Sequence, residues 1–238
     1  MKDKNDYEVY AKLYFGSHQQ GLNMIMDTGS GATWMWSRLC PNCGTNNTAK
    51  YDERDSSSFR FYPAVYDFHY GIGNTYGFNG FDKVCLSKDE VCTDSDFSHF
   101  LIGHQEALDG VSVSGLVGLS PEVSAESRND LLVDKLQANN IIIERVFSFS
   151  VNLEQNITKM TFGGFDRNTY GEPGYKMEWY PIDTDKLSWW TLPLDNCTFE
   201  KLDGDIPDSY AVVATKNTST IIVDSGTSYV LMNHKHRL

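Results

Sequence analysis

Met24-Ile25-Met26-Asp27-Thr28-Gly29-Ser30 and Ile221-Ile222-Val223-Asp224-Ser225-Gly226-Thr227 are two copies of one pattern. Each is a short apolar run, an Asp, a small hydroxyl residue, a Gly and a second hydroxyl residue. Average residue usage produces one Asp-(Ser/Thr)-Gly-(Ser/Thr) tetrad by chance in roughly one chain in a hundred of this length. Two copies, both behind apolar runs, are roughly a hundredfold rarer again. Alone, either tetrad reads as a strand-ending turn with an Asx-type hydrogen bond. As a pair they predict two equivalent strand ends, each carrying a carboxylate.

Strand signals dominate the sequence around these copies. Leu22 to Met26 reads as a buried strand delivering Asp27 to its end. Before it, Val9, Ala11, Leu13 and Phe15 alternate with period 2, and Gly16-Ser17 turns the chain. Aromatic and β-branched residues from Phe59 to Tyr70 and from Thr75 to Leu86 flank Gly71-Ile72-Gly73-Asn74, a turn sequence. Phe97 to Ile102, Val146 to Leu153, Met160 to Phe162, Trp179 to Ile182 and Trp189 to Leu194 continue in the same style. Only Glu126 to Asn139 reads as a helix, with Leu131, Leu132 and Leu136 as its apolar stripe. One helix among many strands predicts an all-β architecture.

Composition narrows the function classes. The 238 residues carry 20 Lys+Arg against 32 Asp+Glu, a formal net charge of −12. Such a chain repels phosphate backbones and anionic lipid, which argues against nucleic-acid and polybasic membrane binding. No apolar run approaches the roughly 20 residues of a membrane span. The polar start, Met1 to Asp6, has no signal-peptide core behind it, which taken literally predicts a cytosolic protein. Two features point the other way. Asn46, Asn156, Asn196 and Asn217 each head an acceptor triplet for N-glycosylation. Cys40 with Cys43 and Cys85 with Cys92 form two close pairs, leaving Cys197 over, which reads as an oxidised framework. A zinc knuckle needs tighter spacing than Cys85 and Cys92 offer. The expectation is a secretory-pathway protein, lysosomal, vacuolar or extracellular, whose targeting segment is absent from this chain.

With these pieces in order, the sequence resembles the pepsin-like aspartic proteases over nearly its whole length. Asp27-Thr28-Gly29-Ser30 followed by Trp34 is similar to the family's first active-site loop and the Trp beneath its flap. Tyr51-Asp52 and Asp55 to Phe59 resemble the stretch after the first disulfide loop. Tyr70-Gly71-Ile72-Gly73 resembles the flap tip, with Tyr70 as the flap tyrosine. Gly115-Leu116-Val117-Gly118-Leu119 resembles the strand crossing the first active-site loop. Phe147 to Val151 and Phe162 to Asp166 resemble the strands joining two lobes, and Asp224 opens the second loop.

The resemblance implies a bilobal all-β fold, with residues 1–170 as the amino-terminal lobe and 171–238 as part of the second. It implies Asp27 and Asp224 as the catalytic pair. Peptide hydrolysis without metal or covalent intermediate needs a base to activate water and an acid to polarise the carbonyl. Two carboxyls at contact distance share one proton, because both cannot ionise there. Gly29 and Gly226 let backbone approach the carboxylates and substrate where a Cβ would obstruct. By resemblance, Ser30 and Thr227 hydrogen-bond the outer carboxylate oxygens, and Thr28 and Ser225 lock the loops together. Trp34, Ser228 and Leu116 support the site, and Thr227 also faces substrate. Tyr70, with Gly71 and Ile72, closes over an extended peptide or unfolded protein. No metal or cofactor is expected.

Other motifs are set aside. Gly71 to Gly77 has one residue too many for a dinucleotide fingerprint. Gly110 to Gly115 lacks nucleophile-elbow spacing. His234 and His236 read as a polar tail, and Asp203, Asp205 and Asp208 as a solvated turn. The alternative function is a catalytically inactive binding or inhibitory protein on the same fold, or an inactive truncated product. Its motive is that no second apolar-apolar-Gly strand follows Asp224 before Leu238. The second lobe is therefore expected to be incomplete here, and a separate segment to complete it.

Overall fold

The structure is a computed structural model that describes residues 9–70, 73–106, 113–121, 130–152, 157–166, 176–183, 188–194 and 220–228. An eight-stranded sheet forms its main body. Its strands are β1 (Tyr10–Phe15), β2 (Gln20–Asp27), β3 (Trp34–Trp36), β4 (Arg60–Tyr70), β5 (Gly73–Asp82), β6 (Val84–Cys85), β7 (Phe97–Glu106) and β8 (Gly115–Gly118). They lie in the order β4-β5-β7-β3-β8-β2-β1-β6. Helix α1 (Leu132–Ala138) buries Leu132, Val133 and Leu136 in a core shared with Leu13, Phe15, Leu22, Met24 and Met26. Two ribbons follow: β9 (Phe147–Asn152) with β10 (Ile157–Phe162), and β11 (Thr191–Pro193) with β12 (Thr220–Ile222). The all-β expectation holds.

The period-2 reading of β1 is borne out, and the run expected as a buried strand is β2, buried on one face. Leu13 and Phe15 of β1, and Leu22, Met24 and Met26 of β2, are buried, and the two strands pair antiparallel. The β4–β5 hairpin forms with Tyr70 opposite Gly73 at its turn. A register shift between Tyr62 and Val65 absorbs Pro63-Ala64, since proline has no N–H for the ladder. Both expected disulfides are present, Cys40–Cys43 and Cys85–Cys92. The second closes across an antiparallel bridge, and the first lies in a smaller core with Trp34, Trp36, Phe100 and Leu116. Cys197 lies outside the described residues.

Four expectations are corrected. The strand expected from Thr75 to Leu86 is two strands, broken at Lys83. Asp82 is the cause: fully buried, it accepts Tyr51 Oη at 2.5 Å, Ser56 Oγ at 2.7 Å, Ser58 Oγ at 2.6 Å and Lys83 N at 2.8 Å. A buried carboxylate requires such a full set of donors, and meeting it turns the chain. The helix expected from Glu126 begins, among the described residues, only at Leu132. Leu131 is extended and offers no capping side chain, while the Asp130 carboxylate goes to Ser98 N and Lys135 instead. Residues 176–183, including Trp179 to Ile182, are irregular and form no strand, although Asp183 N donates to the Thr191 carbonyl of β11 at 2.9 Å. The strand expected from Trp189 to Leu194 shortens to Thr191–Pro193, because Trp189 and Trp190 form a turn whose Trp189 carbonyl accepts Thr191 N.

One core residue is chemically unusual. His99 of β7 has no solvent exposure and is ringed by Phe15, Tyr51, Phe59 and Phe97, with ring centroids 5.9 to 6.3 Å away. Its Nδ1 lies 3.2 Å from the Phe97 carbonyl, and its Nε2 has no hydrogen-bond partner among the described residues. Burial disfavours the imidazolium and pulls the pKa down to about 4, against partial support from the Phe97 carbonyl and Asp82. Between pH 6.5 and 4 the unfolded chain therefore binds a proton that the folded one refuses, so stability falls as pH falls through that window. At about 1.4 kcal/mol per pKa unit, the loss reaches roughly 2–3 kcal/mol by pH 4.5. Urea unfolding of wild type and His99→Leu at pH 7 and pH 4.5 should show a pH-dependent loss smaller by that amount in the variant. Equal losses in the two proteins would remove this reading.

Candidate active site

The first loop owes its shape to β8. Asp27, at the end of β2, pairs in parallel with Gly118, and the chain returns as β3 on the other side of β8, with Trp34 opposite Leu116. Residues 28–33 therefore arch across the end of β8. The approach is tight: a Cβ on Gly118 would stand 2.5 Å from Ala32 N. Only glycine fits there. Leu119 N donates to the Asp27 carbonyl at 2.7 Å and Ser120 N to the Ser30 carbonyl at 3.0 Å, pinning the arch at two points.

The sequence repeat becomes a repeat of hydrogen bonds. Asp27 Oδ1 accepts Gly29 N at 2.9 Å, and its Oδ2 accepts Ser30 Oγ at 2.5 Å. Asp224 Oδ1 accepts Gly226 N at 2.8 Å, and its Oδ2 accepts Thr227 Oγ1. The two loops are then stitched reciprocally. Thr28 Oγ1 donates to the Val223 carbonyl at 2.8 Å and accepts Ser225 N at 2.9 Å. Ser225 Oγ donates to the Met26 carbonyl at 2.5 Å and accepts Thr28 N at 3.1 Å. Each glycine faces the opposite acid. A Cβ on Gly29 would lie 2.5 Å from the Asp224 carboxyl, and one on Gly226 would collide with Asp27 Oδ1.

Asp27 is 6% exposed. Burial pushes its pKa up to about 6, and the charge of Asp224 and a hydrogen bond with it push the same way. The donors Ser30 and Gly29 oppose the rise without cancelling it. The arrangement can hold one proton between two acids near a surface open to solvent on the Asp224 side, where that residue is half-buried.

The remaining expected residues are placed as follows. Trp34 is buried against Trp36, ring centroids 4.6 Å apart, and Leu116 packs in the same small core. Ser228 is exposed just beyond Thr227. The backbone of Tyr70 ends β4, but its side chain, Gly71 and Ile72 lie outside the described residues. Asn46 is exposed in a turn closed by Thr45 and Thr48, whereas Asn156, Asn196 and Asn217 lie outside the described residues, as do His234, His236, Asp203, Asp205 and Asp208. Sequence reasoning placed Leu119 in the strand crossing the first loop but missed Trp190 as its partner. Trp190 Nε1 donates to the Leu119 carbonyl at 2.7 Å, a contact between distant segments that no local pattern announces. Among the described residues no group of His, Cys, Asp or Glu could hold a metal ion, and no helix is long and apolar enough to cross a membrane.

Comparison with known proteins agrees with this geometry. Residues 8–237 match the family model described as eukaryotic aspartyl protease. The chain is 25% identical over 225 residues to chymosin of Camelus dromedarius, covering 94% of this chain and 55% of that protein. It is 26% identical over 239 residues to pepsin A of Gallus gallus, covering 98% and 59% respectively. Plasmepsin VII of Plasmodium berghei (strain Anka) is 23% identical over 81% of this chain and 42% of its own. The chain thus spans about half the length of the curated relatives it matches. On the family match across both Asp-containing loops, the chain belongs to the eukaryotic aspartyl protease family.

Proposed function

We propose that the complete protein is an aspartic endopeptidase in which Asp27 and Asp224 activate one water between them. The observation that carries this reading is the reciprocal bonding of Thr28 and Ser225, which brings the two Asp-bearing loops together. The ionised carboxyl takes a proton from water as its oxygen attacks the peptide carbonyl carbon. The protonated carboxyl gives its proton to the carbonyl oxygen, leaving a neutral gem-diol. On collapse the now ionised carboxyl takes back a proton from a gem-diol hydroxyl as the carbonyl re-forms and the C–N bond breaks. The other carboxyl gives the proton it took from water to the departing amine, which restores the singly protonated pair. Asp27, the more deeply buried acid, holds the shared proton in the free enzyme, although the pair titrates as a unit.

Residues 1–170 and 171–238 are read as the first lobe and part of the second. An extended peptide would lie between them, paired along its backbone and covered by the β4–β5 hairpin with Tyr70, Gly71 and Ile72 at its tip. Ile221 and Ile222 of β12 and Val223 just beyond it are exposed, which supports further strands covering them in the whole protein, whether from the same chain or a separate segment. Two disulfides, with Asn46 exposed as a glycosylation acceptor, support a secretory-pathway destination, lysosomal, vacuolar or extracellular.

Two outcomes test the reading. In the complete protein, Asp27→Asn and Asp224→Asn should each lower kcat/KM on an unfolded protein substrate at acid pH by about 10⁴-fold. Circular dichroism should be unchanged, and pepstatin should block the wild type. Appreciable cleavage by either variant would sink the mechanism. The second outcome is a pH profile. The raised folded pKa of Asp27 means that the folded state binds the extra proton between pH 3.8 and about 6, so both the shared proton and its stabilisation are lost as pH rises through that window. Cleavage should fade above about pH 6, and a maximum at alkaline pH would contradict the shared-proton assignment.

A further inference from the structure

The Thr28–Ser225 bonds all cluster where the two loops touch, and a cluster of bonds at one place behaves as a hinge. Such a hinge fixes separation at that point and resists rotation of one loop against the other only over its own short span. A second route that leaves the hinge at Val223 widens that span, and Trp190 supplies it. Its main-chain carbonyl accepts Val223 N at 3.0 Å, from the residue immediately before Asp224. Its indole Nε1 donates to the Leu119 carbonyl at 2.7 Å. Leu119 N in turn donates to the Asp27 carbonyl at 2.7 Å. Three hydrogen bonds thus run from the Asp224 strand to the Asp27 strand by a route that includes neither Thr28 nor Ser225. Phe147 of β9 meets the indole edge-on, centroids 5.8 Å apart at 80°, and holds its plane.

We propose that Trp190 is a positioning residue that fixes the angle between the two catalytic loops, an inference that rests on the proposed carboxyl pair. Trp190 contributes no atom to the reaction. Its effect passes through the distance between the carboxyls, and their mutual interaction varies inversely with that distance in a poorly solvated site. A slight rotation therefore changes how unequally the pair shares its proton. The indole is required because the link needs a planar side chain that both packs on Phe147 and presents an N–H to a backbone carbonyl. Phenylalanine can pack but cannot donate.

The test uses Trp190→Phe in the complete protein, together with replacement of Trp190 by benzothienylalanine, its isostere lacking only the N–H. Three quantities are read: kcat and KM on a peptide substrate, the two apparent pKa values of the carboxyl pair from ¹³C-carboxyl NMR, and thermal stability. Both variants should lower kcat by between about tenfold and a hundredfold with KM within about twofold. They should also bring the two apparent pKa values closer together. The isostere guards against a packing defect in the Phe variant, since it keeps the shape of the indole. Unchanged pKa separation and kcat in the isostere, with Asp27→Asn inactive, would overturn the positioning role while the endopeptidase reading stands. A loss of thermal stability alone, with the pair's titration unaltered, would also overturn it. Wild-type protein with no cleavage and no coupled titration would overturn the reading on which the inference rests.

Discussion

Everything in the candidate site depends on the four hydrogen bonds exchanged between Thr28 and Ser225 and the chain around them. These residues stand 197 positions apart in sequence. Each loop alone is a modest object: an Asp satisfied by a glycine N–H and by a hydroxyl three residues on. Such a turn is common and carries no chemistry. Joined, the loops place Asp224 beside the buried Asp27, whose ionisation its charge opposes, and that is an energetically unfavourable arrangement in isolation. The stitching offsets it by satisfying the backbone groups of both strand ends, which would otherwise be unpaired at an inter-segment junction. The requirement for glycine at 29 and 226 follows from the same closeness, because each faces the opposite carboxyl.

Burial acts on two titratable groups in this molecule with opposite consequences for acid. At Asp27 it disfavours the carboxylate, so lowering the pH through about 6 relieves the site. At His99 it disfavours the imidazolium, so lowering the pH towards 4 strains the core. Both groups are held by the same sheet, Asp27 on β2 and His99 on β7. The charge state that suits the proposed chemistry and the one that suits the core therefore coincide between about pH 4 and 6. Above that range the carboxyl pair loses its proton. Below it the aromatic box around His99 must admit a charge that only a backbone carbonyl at 3.2 Å and Asp82 help to support. The physics in both cases is desolvation of an ion; only the sign of the ion differs.

Features with local causes were legible in the sequence. The alternation in β1, the apolar run of β2, the glycine turn between β4 and β5, the cysteine pairs and the duplicated Asp tetrad all depend on residues within a few positions of one another. What escaped reading has non-local causes. Strand β3, Trp34–Trp36, is too short to carry a period, and it exists because β7 and β8 pair with it from either side. The break after Asp82 is dictated by Tyr51, Ser56 and Ser58, donors from another stretch of chain. The apolar stripe from Leu131 onward was recognised, but the start of α1 depended on Asp130 being drawn to Ser98 and Lys135. Trp179 and Tyr180 had β-propensity, but among the described residues no strand pairs with them, and propensity alone does not make a strand. Trp190 looked like one more strand aromatic until its indole was seen to reach Leu119.

The two copies of the repeat are equivalent in hydrogen bonding but not in burial, and this difference bears on how the site is ordered. Met24 and Met26, which lead to Asp27, are fully buried, and their strand is flanked by β1 and β8. Val223, which joins β12 to Asp224, is 50% exposed, and among the described residues β12 has only β11 beside it. Local packing therefore fixes the first loop more firmly than the second. The second loop takes its position from the first, through Ser225 to Met26 and Thr28 and through Trp190 to Leu119. The same inequality explains why burial raises Asp27 in particular. It lies at the end of a sheathed strand, whereas Asp224 sits half-buried on the wetter side of the pair. A symmetric motif in sequence thus becomes an unequally buried pair of acids, and burial raises the Asp27 carboxyl, the one at the end of the sheathed strand.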